Sequence, residues 1–71
     1  MNKFATIISD EAIYAIRINK IIWSGIDEFA KDILNVRLTD DTLAIRFDSE
    51  EKCRQVLGDL IETIMGDKND R

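Results

Sequence analysis

The sequence has no histidine, no proline, one cysteine and three glycines. The missing histidine removes the side chain that most often serves as a general base or zinc ligand near neutral pH. A single cysteine excludes an internal disulfide, and an unpaired thiol fits a reducing cytosol. The three glycines are scattered and form no phosphate-cradling loop. No run of 18 apolar residues occurs, and no basic segment precedes an apolar stretch at the N-terminus. The protein is expected to be cytoplasmic, neither membrane-spanning nor secreted. No nucleophile–base pair and no set of metal ligands stands out. The expectation is therefore a protein that is not an enzyme, with no cofactor, no metal and no catalytic residue.

What is present is one small domain. Seventy-one residues bound the chain to a single core, and a core of that size is marginal alone. The compact domain is expected over 1–66, with a disordered polar tail over 67–71. Net charge is −4 and the pI about 4.6. Residues 1–35 hold five acids and four bases, and residues 36–71 hold nine acids and six bases. The acidity thus lies in the second half. An acidic chain is a poor ligand for phosphate backbones but a reasonable one for a basic protein surface.

The clearest stretch runs from Asn35 to Gly66. Val36, Leu38, Leu43, Ile45 and Phe47 alternate with Arg37, Ala44 and Arg46, the period-two mark of strands with one buried face. A two-residue turn at Asp40-Asp41 would set Leu38 opposite Leu43, Val36 opposite Ile45 and Leu34 opposite Phe47. Asp-Asp is a weaker turn signal than Asn-Gly, so a slightly longer loop is also compatible. A helix is expected at once afterwards. Asp48 is the predicted N-cap, with Glu51 three residues later as in a capping box. Cys53, Val56, Leu57, Leu60, Ile61, Ile64 and Met65 form an apolar stripe, and Gly66 is the predicted stop. Gly58 flanks the stripe, where close approach to a strand would explain it.

Earlier in the chain, Lys3 to Ser9 and Ala12 to Ile18 read as strands around a Ser9-Asp10-Glu11 turn. Asn19-Lys20 marks a bend, and Ile21 to Ile26 reads as a third strand, with Gly25 a candidate bulge. Asp27 to Asp32 is either a loop or a short helical segment. The predicted class is α+β: an antiparallel sheet of four or five strands with one C-terminal amphipathic helix on one face. In the order of its elements the chain is similar to several tiny bacterial regulators, the small flagellar FlbD-like proteins among them. That similarity is one of layout; the Leu-Asn-Gly-type opening of those proteins is absent here.

Three surfaces compete for a function. Twelve isoleucines, with adjacent pairs at Ile7-Ile8 and Ile21-Ile22, exceed what one helix can cover. Together with Tyr14 and Trp23, Ile21 and Ile22 are the predicted interface of a protein-binding regulator that acts as a homodimer. Asp40, Asp41, Glu50, Glu51, Asp59 and Glu62 form the predicted acidic surface. It supports an alternative: a phage-type inhibitor that mimics DNA charge and occupies a basic nucleic-acid-binding surface of a host protein. Arg37 and Arg46, expected nearly diagonal on the face away from the helix, support a third reading as a nucleic-acid-binding module. The partner in the leading reading is another protein, with no direct nucleic acid and no membrane. Cys53 is read as a core residue and the acidic clusters as turns and caps.

Overall fold

The computed structural model describes residues 3–69, with side chains through Gly66. Five strands and one long helix make an α+β fold in the order β1 (Phe4–Ile8), β2 (Ile13–Arg17), a 3-10 turn (Ile18–Lys20), β3 (Ile21–Ile26), β4 (Ile33–Leu38), β5 (Thr42–Arg46) and α1 (Glu50–Asn69). The strands do not join into one sheet. β1 and β2 form an antiparallel pair, and β3-β4-β5 form a separate antiparallel meander. This corrects the expectation of a single sheet of four or five strands. The physical reason lies at Ile18. It ends the first ladder, buries its side chain, and turns the chain through one 3-10 turn. Two backbone bonds flank this corner: Ile18 N–H donates to the Lys3 carbonyl at 2.9 Å, and Thr39 N–H to the Lys20 carbonyl at 3.0 Å.

Both sheets turn one face inward, and the helix packs against β1, β3 and β4. Ala5, Ile7, Ile16 and Ile18 from the first half meet Leu34, Val36, Ile45, Phe47, Cys53 and Leu60 from the second. No polar or charged side chain is buried among the described residues. The alternation seen in the sequence is therefore the alternation of core and surface.

The β4–β5 register differs from the expected one. Val36 pairs with Leu43 and Leu34 with Ile45. Leu38 N–H donates to the Asp41 carbonyl at 2.7 Å, so Thr39-Asp40 is the tip rather than Asp40-Asp41. No described residue adopts positive φ. A tight type I′ turn at Asp-Asp would require it at both positions. Asp41 instead closes the loop with its own carboxylate, whose Oδ1 accepts the Thr42 N–H at 2.8 Å. The change shifts the pairing by two residues, so every side chain keeps its face.

The helix also starts and ends elsewhere. Ser49 is the N-cap: its carbonyl accepts the Cys53 N–H at 3.2 Å and its Oγ accepts the Lys52 N–H at 3.1 Å. The predicted cap, Asp48, lies one residue too early, and no capping box with Glu51 forms. Gly66 does not adopt the left-handed conformation of a helix stop, and the helix runs through it to Asn69. Of the expected polar tail, residues 70 and 71 lie outside the described residues. Gly58 faces open space, not a strand: nothing lies within 4 Å of where its Cβ would stand. Within the stripe, Cys53 and Leu60 are buried and Val56, Leu57 and Ile64 half-buried, while Ile61 and Met65 are exposed.

Candidate interaction surfaces

Apart from Ile61 and Met65 on α1, the exposed large apolar side chains fall into two groups. The first lies on and beside β3, one of the two edge strands of the meander. Ile22 and Trp23 each leave more than half of their surface open. The register shifts between Ile21 and Trp23, and this irregularity displaces Ile22 from the ladder. The predicted bulge at Gly25 is thus three residues away from the observed one. Gly25 has a different task. A Cβ there would stand 2.6 Å from Trp23 Cζ2, so the indole lies across the bare backbone of Gly25. Trp23 pairs with Arg37, and with Asn35 and Thr42 they line a shallow depression of about 490 Å³. Phe29, in the β3–β4 loop, is almost fully exposed.

That loop is held in place by Asp27. Its Oδ2 accepts the Phe29 and Ala30 N–H groups, both at 3.0 Å, and its Oδ1 accepts the Asn35 Nδ2–H at 2.9 Å. These bonds, the Asn35 one foremost, hold the Asp27 carboxyl below the usual carboxylate range. The segment is a turn capped by a carboxylate, not a helix: Ile33 N–H donates to the Ala30 carbonyl at 3.1 Å and the chain re-enters β4.

The second group lies on β1 and β2. Phe4, Ile8 and Ile13 point away from the core. Ile8 pairs with Ile13 and Phe4 with Arg17, whose guanidinium carbon lies 5.9 Å from the centre of the Phe4 ring. Phe4 and Ile13 were not among the predicted interface residues. The alternation of Phe4, Thr6 and Ile8 with Ala5 and Ile7 was the signal for Phe4, and Ile13 follows from its place opposite Ile8.

Of the four predicted interface residues, the structure sets Ile22 and Trp23 side by side on β3. Tyr14 and Ile21 are half-buried and pack against the core. Tyr14 lies on the other sheet, opposite Ile7. The predicted acidic residues are all exposed. They occupy separate places: Asp40 and Asp41 at the β4–β5 loop, Glu50 and Glu51 in the first turn of α1, Asp59 and Glu62 further along it. Asp40 is shared with Lys20, whose Nζ lies 3.8 Å from its Oδ2. Arg37 and Arg46 are exposed, but the observed register separates them. Arg37 pairs with Thr42 and Arg46 with Ile33, four residues further along the ladder, or about 14 Å. Arg46 also lies 3.9 Å from Asp32.

No family model, curated protein or solved structure matches this chain.

Among the described residues no three carboxylate or thiol side chains cluster closely enough to hold a metal ion. Burial, and secondarily the negative Asp32, push the Cys53 thiol up from its ordinary pKa. A buried thiol kept protonated is a core side chain rather than a nucleophile. No described helix is long and apolar enough to cross a membrane.

Proposed function

We propose that this chain is a small non-enzymatic regulator that acts by binding another protein and that works as a homodimer. The observation that carries the reading is the Ile22–Trp23 surface. Trp23 is laid flat over Gly25, backed by the meander, and left open to solvent. A large aromatic braced against a sheet, with the exposed Arg37 as its strand partner, has the composition of an interaction hot spot. The binding surface of this reading is Ile22 and Trp23, with Ile21 beside them packed on the core; Tyr14, on the other sheet, is not part of it.

The alternative is an acidic DNA mimic. Its support is the exposed run of Glu50, Glu51, Asp59 and Glu62 along one helix. Salt separates the two. Contacts between exposed charges are screened at high ionic strength, whereas apolar contacts persist. Protein captured on the tagged chain should remain bound at high salt and be lost with Trp23→Glu. Capture that vanishes as salt rises and ignores Trp23→Glu would move the function to the acidic helix.

A further inference from the structure

β1 has a hydrogen-bonding neighbour on one side only. Two backbone bonds bracket its ladder with β2: Ile18 N–H to the Lys3 carbonyl, and Ser9 N–H to the Ala12 carbonyl, both at 2.9 Å. In an antiparallel pair alternate residues direct both main-chain groups to the neighbour. Ala5 and Ile7 therefore face β2 as Lys3 and Ser9 do. Phe4, Thr6 and Ile8 direct their N–H and C=O groups the other way. No described residue pairs with them there.

The other outer edges carry protection. β3 is irregular at Ile22, and β5 ends in Arg46. The free side of β2 borders a groove reached by the Lys20–Asp40 ion pair. Irregularities and charges of this kind keep strand edges from pairing. β1 is regular, and its own five residues, FATII, are uncharged; the charges near it stand on α1 across a groove. Its open edge borders a groove of about 420 Å³ whose far wall is α1, with Lys52, Val56, Asp59 and Leu60 facing it.

We infer that β1 pairs with β1 of a second copy, antiparallel about a two-fold axis through Thr6, joining two hairpins into one four-stranded sheet. The inference rests on the homodimer reading and supplies its contact. Self-complementarity identifies the occupant. Phe4 and Ile8 are equidistant from Thr6, so the axis sets Phe4 of each copy against Ile8 of the other. That is an aromatic–β-branched cross-strand pair on the outer face. Both are open in the single chain, Phe4 at 53% and Ile8 at 61%, and Ile13, beside Ile8, at 71%. On the groove side Lys52 and Asp59 stand two helical turns apart. The axis reverses their order in the second copy and brings opposite charges toward each other. A foreign strand has no reason to match both patterns. The contact leaves Ile22 and Trp23 free on each copy for a partner.

Sedimentation equilibrium and amide hydrogen exchange on the wild-type chain test this together. The expected result is a dimer in which exchange at Phe4, Thr6 and Ile8 slows as concentration rises. Thr6→Pro removes the central edge donor and leaves every bond to β2 in place. It should weaken the dimer by about tenfold or more, while Thr6→Val, which keeps the N–H, stays dimeric. A dimer that survives Thr6→Pro, with those three amides unprotected, overturns the edge contact but keeps the homodimer. A monomer at every concentration overturns both. Protection that arises only on adding a different protein gives the edge to a foreign strand and also overturns the proposal.

Discussion

Cys53 and Ser49 act within one turn of each other and show how single atoms set the helix. The Cys53 thiol is fully enclosed, and its pKa lies above the ordinary value near about 8.5. The folded state thus holds a proton that the unfolded chain releases at high pH. Its contribution to stability is complete below about pH 8.5 and declines as pH rises toward the folded value. Cys53→Ala has no such proton. The stability difference between wild type and Cys53→Ala, measured by urea unfolding, should narrow between pH 7 and pH 9.5. A difference that stays constant or widens would show that the thiol ionises freely where it stands. Ser49 satisfies the Lys52 amide at the start of α1. Ser49→Ala should lose about 0.5–2 kcal/mol, and Asp48→Ala much less. Equal losses at both positions would return the cap to Asp48. The sequence offered Asp48 and Ser49 as adjacent capping residues. Only the direction in which the chain leaves Phe47, buried and bonded to Asp32, decides between them.

Elements were legible to the extent that they follow from periodicity. The faces of β4 and β5 follow directly from the alternation of Val36, Ile45 and Arg37, and Ile21–Ile26 is a strand with the expected bounds. Register was not, because a shift of two residues leaves the apolar pattern unchanged. Turn chemistry at Thr39–Asp41 made that choice. The split into two sheets was equally hidden, since Ile18 reads as one more strand isoleucine until its burial at the corner is seen. The helix stripe was read too wide, since Ile61 and Met65, expected within it, are exposed. Leu60 is 4% exposed and Ile61 42%. Leu60→Ala should therefore cost roughly 2–5 kcal/mol, as enclosed leucines do. Ile61→Ala should cost clearly less, about 1 kcal/mol, since much of the side chain stays in contact with water. Denaturant midpoints at constant slope would measure both, and a large loss at Ile61 would mean that something covers it in solution. A second copy across the β1 groove is one such cover. The pair of variants thus reads the single-chain packing only at concentrations where the protein is a monomer.

At the scale of the molecule, the described residues enclose ten buried apolar side chains and leave eight large ones, from Phe4 to Met65, well exposed. A domain this small has little margin, and burying part of that surface against a second copy is the most direct way to enlarge it. The candidate surface was half legible. Trp23 and the Ile21-Ile22 pair were visible as apolar excess. The β1 edge was not, because an unpaired ladder is a property of topology and leaves no mark on residue type. Dimerisation through that edge has a thermodynamic signature independent of any partner. Association withdraws folded chains by mass action, so the unfolding midpoint of the wild type should rise with protein concentration. For a domain of this size each 1 kcal/mol shifts the midpoint by about 4–8 °C. Raising total concentration well above the dimer dissociation constant by about a hundredfold adds about 1.4 kcal/mol per subunit, hence a rise of roughly 5–10 °C. Thr6→Pro should flatten that dependence. A wild-type midpoint constant across the range would mean that the exposed strand edge and the apolar outer face are tolerated by a monomer, and that the chain holds its fold on one core alone.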